Sequence, residues 1–310
     1  MIELVGQILI LAVSLIILAL SSHFTISSIE RLIELTGLSE ASAGFVVLAI
    51  MTSTPEIIVA LFSVYQRAPG LSIGDIIGSN VFNMGVVLGS LGMLGYLKTC
   101  CTDLLVELTD ILFVISLIPL LLVIFKVASP IIGFMLLGTF VLAIFFMSKR
   151  KTPRVAGNKS VLAEKRGKKM VVARLILSMS LVIISARLVV FSGLNIALSV
   201  GVPPILIGAK IVAIGTSLPE LTLDLIAVKR GRVQLAIGDI VGSNLTNLTL
   251  VLGLVLVSSP FAVDMTILTE ILPFLLITTI VFWRFLTRGG VSQIGGIVLL
   301  MVYILFQAII

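Results

Sequence analysis

The sequence predicts an all-α membrane protein: ten transmembrane helices in two inverted five-helix repeats. Three observations carry that reading. Of the 310 residues, 59% are hydrophobic and only 12% charged, about half the charge of a water-soluble chain. The apolar residues gather into ten runs, each near the ~20 residues that cross a bilayer. Residues 44–89 also align without a gap on residues 208–253, at a constant offset of 164, with 21 of 46 positions identical.

The predicted spans lie near 3–22, 42–65, 71–96, 104–125, 129–147, 171–192, 203–228, 233–257, 264–284 and 293–310, bounded by charges, Gly or Pro. Continuous runs of this length read as helices, since barrel strands alternate over about ten residues. The first run carries Glu3 and no basic n-region, so Met1–Ser22 reads as a retained span rather than a signal peptide. The stretch around His23–Glu40 suits an interfacial helix. What remains is enough for short loops, which disfavours a separate soluble catalytic or regulatory domain.

The second and third spans hold one copy of the repeat, and the seventh and eighth hold the other. GFVVLAIMTSTPE (44–56) matches GAKIVAIGTSLPE (208–220), and GDIIGSNVFN (74–83) matches GDIVGSNLTN (238–247). Five spans separate the copies, so they are expected to cross the membrane in opposite senses. Inverted repeats of this kind mark transporters, with substrate held near the midplane. The chain then divides into a first half (1–147), a basic linker (148–170) and a second half (171–310).

Charge placement sets the orientation. Nine of the 21 Lys and Arg fall between Lys149 and Lys169. With that linker in the cytoplasm, 17 basic residues face inside and only Arg67 and Lys126 face outside, while Arg187 and Lys210 lie within spans. Both termini are then external, and the linker reads as a solvated orientation signal rather than a lipid or partner site. The net charge of +6 therefore argues for a lipid bilayer and not for nucleic acid. Cys100 and Cys101 are adjacent and offer neither a disulfide framework nor metal-ligand spacing. A single histidine and no HExxH motif argue against a hydrolase.

Inside the second and seventh spans stand Thr52, Ser53 and Glu56 with their mates Thr216, Ser217 and Glu220. Thr52 and Glu56 are four apart and share a helix face. Ser79 and Asn83, and likewise Ser243 and Asn247, repeat that step in the next span. Each copy thus offers one carboxylate, three hydroxyls and an amide, an oxygen set suited to hard cations such as Ca²⁺ and Na⁺. Pro55 and Pro219 cannot donate to the carbonyls of Met51 and Gly215, so their helices are expected to kink or break. Glycines at 74, 78, 85 and 89, and at 238, 242 and 253, allow close helix approach. A lone buried hydroxyl or amide ordinarily bonds a neighbouring helix. A mid-span carboxylate costs about 2.5–3.5 kcal/mol even on lenient insertion scales. Two such carboxylates at matched positions point to function, and together they neutralise one Ca²⁺.

The repeated xTSxPE and GxxxGSNxxN blocks resemble the α1 and α2 repeats of the calcium/cation antiporter superfamily. The chain looks most like compact prokaryotic Na⁺/Ca²⁺ exchangers. The resemblance implies two five-helix halves with four ion sites between them, and no cofactor beyond the transported Ca²⁺ and Na⁺. It implies that Glu56 and Glu220 coordinate calcium and are shared with sodium. Thr52, Ser53, Ser79, Thr216, Ser217 and Ser243 match sodium-liganding hydroxyls, and Ala49 and Ala213 match positions whose carbonyls help bind ions. It further implies that the first and sixth spans slide over an eight-helix core. The implied partners are inorganic cations and the lipid bilayer, the implied working unit is a monomer, and the setting is a prokaryotic cell membrane. Proton- or potassium-coupled antiport, and a channel, are the competing readings.

Three departures stand out. Met51 replaces the glycine found at 215, so the first half-site is expected to be tighter or differently bent. Asn83 and Asn247 stand where relatives often carry Asp, so the central site lacks a third acid. Asp75 and Asp239 replace the usual Asn, one turn before Ser79 and Ser243; they either charge an ion vestibule or cap a helix N-terminus. Asp224, one turn beyond Glu220, either lines an ion exit or pairs with Lys229 or Arg230. Lys210 is expected to snorkel, and Arg187 to do likewise or to pair across helices. His23 is expected to be solvated or capping. Asp103, Glu107 and Asp110 suit a solvated interfacial face.

Overall fold

The computed structural model describes residues 2–37, 39–65, 69–98, 102–125, 129–149, 169–185, 188, 206, 208–258 and 265–310. Arg67, Cys100, Cys101, Lys126, Arg187 and linker residues 150–168 lie outside the described residues. Within them every regular element is a helix. Ten rods result: α1 (Ile2–Thr36), α2 (Glu40–Tyr65), α3 (Pro69–Met93), α4 (Asp103–Ser116 continuing as Ile118–Phe125), α5 (Pro130–Lys149), α6 (169–185), α7 (Gly208–Val212, Ala213–Thr216 and Leu218–Lys229), α8 (Val233–Ser258), α9 (Met265–Thr287) and α10 (Gln293–Ile309). By length and composition α2, α3, α5, α8 and α9 are apolar enough to cross a membrane, and α10 is a shorter apolar helix.

Local chemistry sets the ends. Ser39 caps α2 by accepting the Ser42 N–H at 3.1 Å, and Ser292 caps α10 by accepting that of Gly295 at 3.0 Å. The α7–α8 turn needs Gly231 at φ +77°, which lets the Arg232 N–H reach back to the Ala227 carbonyl at 2.9 Å. One boundary differs from expectation. α1 runs unbroken for 35 residues, roughly 50 Å, so His23–Thr36 is the continuation of the first span and not a separate interfacial helix.

The centre of the molecule is α3 and α8, whose residues 72–83 and 235–246 are buried without exception. Small residues allow it. A side chain at Gly78 would meet the backbone of Ala209, and one at Gly242 would meet Phe45 and Ala49. The first half of α2 therefore lies on α8, and the first half of α7 lies on α3. The outer packing is equally reciprocal: Gly89 of α3 abuts Gly296 of α10, and Gly253 of α8 abuts Gly133 of α5. α5 instead turns Ile131, Phe134, Met135, Val141, Leu142 and Phe146 outward, an apolar surface suited to lipid rather than water.

Four single π-helical turns interrupt the rods: Gly44–Leu48, Asn83–Val87, Gly208–Val212 and Asn247–Val251. They form two pairs at the spacing of the sequence repeat. A π-turn inserts one residue into the helix and re-aims the side chains around it.

Candidate cation site

The site grows from two matched helix breaks. α2 unwinds at Ser53 (φ −76°, ψ 6°) and α7 at Ser217 (φ −91°, ψ 6°). Pro55 and Pro219 lack the N–H that would continue the ladder across these points. Each helix resumes for 12 residues, as Thr54–Tyr65 and Leu218–Lys229, with Glu56 and Glu220 in the first new turn. The expected difference at Met51 does not reach the backbone: both breaks share the same ψ and the same helix beyond.

Tertiary packing then brings both copies together. Thr52, Ser53, Glu56, Ser79, Asn83, Ser217, Glu220, Ser243 and Asn247 are fully buried, and Thr216 is nearly so. The threonines cross between repeats. The Thr52 hydroxyl donates to Asp239 Oδ1 at 3.2 Å, and the Thr216 hydroxyl donates to Asp75 Oδ1 at 3.0 Å. Ser79 joins the second pair, 3.2 Å from the Thr216 hydroxyl. Deeper in, Asn83 Nδ2 donates to Ser243 Oγ at 3.3 Å, and Asn247 Nδ2 to Asn80 Oδ1 at 3.5 Å. The Ala49 carbonyl already accepts the Ser53 N–H at 3.0 Å and the Thr52 hydroxyl at 3.2 Å. Ala213 does the same for Ser217 at 3.1 Å and Thr216 at 3.3 Å. Each carbonyl competes with the aspartate of the opposite repeat for the single hydroxyl proton of its threonine.

Glu56 lies beside Asp75, and Glu220 lies beside Glu56 and Asp239. With Asp224 this makes five fully buried carboxyl groups. Both oxygens of Glu56, Glu220 and Asp224, one each of Asp75 and Asp239, the Ser53 and Ser217 hydroxyls, and the Asn83 and Asn247 carbonyls have no hydrogen-bond partner. Buried acceptors are normally satisfied, because desolvating them costs about 1–3 kcal/mol each and more for charge. Here most of the orphaned atoms are oxygens of the two repeats, joined by the Asn80 amide nitrogen. No group of three or more His, Cys, Asp or Glu forms a metal centre among the described residues. The donor set is instead mixed carboxylate, hydroxyl and amide, which suits a hard, exchangeable cation.

Several expectations change. Asp75 and Asp239 are not helix caps, since each lies six residues inside its helix, past the first turn, and bonds the opposite repeat. Asp224 does not pair with Arg230, because Arg230 turns away to Glu30 at 3.0 Å. Arg232 binds Glu30 at 3.2 Å and Glu40 at 2.6 Å. Its hydrogen bonds to Glu40, then Glu30, hold the guanidinium above its ordinary pKa. His23 is engaged by Arg230, whose Nη2 sits 2.8 Å from Nδ1, while Lys210 donates to the Gln307 carbonyl at 2.9 Å. Asp103, Glu107 and Asp110 are exposed as expected, although Asp110 accepts the Trp283 indole N–H at 2.7 Å. Sequence reasoning missed Asn80 and Asn244, buried beside Asn247 and in the wall of α8. Their signal was present, as the third letter of each GSN.

Comparison with known proteins was made against this geometry. The family described as "Sodium/calcium exchanger protein" matches residues 6–149 and 170–310. The sodium/calcium exchanger MaX1 of Methanosarcina acetivorans is 27% identical over 341 residues, covering 97% of each chain. The membrane protein MJ0091 of Methanocaldococcus jannaschii is 31% identical over 298 residues, covering 94% of this chain and 93% of its own. Among solved structures, the sodium-calcium exchanger NCX_Mj soaked with Na⁺ and Sr²⁺ superposes with a TM-score of 0.83 at 25% identity, covering 99% of both chains.

Proposed function

The chain belongs to the sodium/calcium exchanger protein family, and from that premise we propose that it exchanges Ca²⁺ for Na⁺ across a membrane by alternating access. The observation that carries this reading is the convergence of Glu56 and Glu220, from two mirrored helix breaks, on a buried cluster of unpartnered oxygens. The relatives add support, since one is named a sodium/calcium exchanger and a solved sodium-calcium exchanger soaked with Na⁺ and Sr²⁺ shares this fold.

In this reading the fold is ten spans in two inverted halves, with residues 1–147 and 171–310 contributing one glutamate each. Glu56 and Glu220 hold Ca²⁺, their two charges matching it. Thr52, Ser53, Ser79, Thr216, Ser217 and Ser243 supply hydroxyl oxygens to Na⁺, while Asn83 and Asn247 supply amide oxygens. The Ala49 and Ala213 carbonyls join once Thr52 and Thr216 rotate off them. Calcium and sodium compete for the same two carboxylates, so one leaves before the other loads, and that exclusion couples the fluxes. α1 and α6 are the moving pair. They touch through a hydrogen bond from Thr25 to Ser178 at 2.9 Å, and α1 is tied to the α7–α8 turn by Glu30.

The deciding measurement is ⁴⁵Ca²⁺ uptake into proteoliposomes under separately imposed Na⁺, H⁺ and K⁺ gradients. An outward Na⁺ gradient alone drives uptake, and E56Q or E220Q abolishes it. Uptake that follows a proton gradient without Na⁺, or that survives both substitutions, sinks the assignment.

A further inference from the structure

Resting on the antiport reading above, we propose that Asp224 and Asp239 form a second site for a divalent cation, on the α7–α8 turn side of Glu220 and with no counterpart in the other repeat. Asp224 is fully buried, and neither of its carboxyl oxygens has a partner. It faces the carboxyl of Asp239 across the α7–α8 contact. Asp239 Oδ1 takes the Thr52 hydroxyl, which leaves Oδ2 unpartnered. Three of the four carboxyl oxygens therefore have no hydrogen-bond donor among the described residues. Such a pair is stable in a dry interior only with a cation between its members or a proton shared by them.

The charged groups nearby do not supply that cation. Arg230 and Arg232, at the adjoining turn, are drawn off to Glu30 and Glu40. Lys229, in the last turn of the same helix, makes no hydrogen bond to Asp224. Two carboxylates carry the charge of one divalent ion, and oxygen-only ligation suits a hard one.

Placement sets this pair at the edge of the central cluster nearest the α7–α8 turn, with Asp239 common to both. Asp224 stands five residues before the end of the helix at Lys229, and Asp239 six residues into α8, so both sit about a turn and a half from the connecting turn. Glu220 lies one turn deeper. The repeat offset of 164 places Ala60 where Asp224 stands, and Ala60 is buried and apolar. Glu56 with Asp75 mirrors Glu220 with Asp239, but nothing mirrors Asp224. An ion entering from the α7–α8 side meets two carboxylates before Glu220, and one entering from the other side does not.

Equilibrium ⁴⁵Ca²⁺ binding to the purified protein in Na⁺-free detergent tests this. E56Q/E220Q is expected to retain one Ca²⁺ per chain, and adding D224N or, separately, D239N to weaken that binding at least tenfold. Size-exclusion profiles and helicity are recorded for each variant, and the two removals back each other if one misfolds. Loss of all binding in E56Q/E220Q, as for a carboxyl pair sharing a proton, overturns the proposal. So does retained binding that both D224N and D239N leave unchanged. In vesicles, D224N alone raises the apparent KM for Ca²⁺ presented from the α7–α8 side about tenfold and leaves the other side within twofold; equal change on both sides also overturns it. Failure of the antiport reading shows differently, as Na⁺-driven uptake that persists in E56Q/E220Q, whatever the binding result.

Discussion

Glu56 and Glu220 illustrate how much one side chain decides here. Removing one partner from a buried charge cluster costs about 3–5 kcal/mol, two orders of magnitude or more in an equilibrium. E56Q and E220Q should therefore lower Ca²⁺ uptake at least ~100-fold while the protein still purifies as a folded species. The cross-repeat threonines set a smaller term. Thr52→Val removes the one donor to Asp239 Oδ1 among the described residues and leaves that buried oxygen unpaired, a loss of about 1–3 kcal/mol. The expected outcome is a thermal midpoint lowered by a few degrees and a weaker Na⁺ dependence of exchange, with Thr52→Ser restoring both. A Thr52→Val protein with unchanged midpoint and Na⁺ dependence would contradict the pairing. The glutamates and hydroxyls were legible as residues, because carboxylates at membrane depth are too costly to be incidental. The partners of Thr52 and Thr216 were not, since those bonds join positions 187 and 141 residues apart.

At the scale of elements, the π-turns and breaks form a repeated device. In each half a π-turn precedes the break, a proline follows it, and a second π-turn opens at the asparagine of the next helix. The prolines made the breaks predictable, because a missing N–H is written in the sequence. The π-turns were not predictable, because no residue type demands them; they arise where close packing re-aims a helix. That packing depends on glycine at 242. A Cβ built there meets Ala49 Cβ at 2.6 Å and Phe45 Cα at 2.9 Å. Gly242→Val should push α2 off α8, cost about 1–3 kcal/mol or more, and reduce exchange together with yield of folded protein. Gly138, whose Cβ would meet nothing within 4 Å, is the control, and Gly138→Val should leave both unchanged.

For the whole molecule, α1 matters through its length. Its extension beyond the first span carries Glu30, which bridges Arg230 and Arg232 beside the α7–α8 turn. These groups are about a fifth to two fifths exposed, so the pairs contribute at most about 1 kcal/mol to stability. On the proposed exchange reading, their effect is on motion. Glu30→Gln should change the exchange rate several-fold and the thermal midpoint little, because it releases α1 from the core without opening a cavity. A rate equal to the parent's would remove α1 tethering from the mechanism.

The sequence by itself determined the all-helical class and the repeat, and it singled out Glu56 and Glu220 as the candidates for a site. Apolar run length, a constant offset and the cost of a buried charge are all properties that survive without coordinates. Only the tertiary structure decided which repeat each acid serves, that Asp75 and Asp239 bond across the halves, and that Asp224 belongs to the interior. The physical reason is separation along the chain. Helix periodicity governs neighbours three or four residues apart, whereas this cluster is assembled by two helix pairs whose members lie about 160 residues apart.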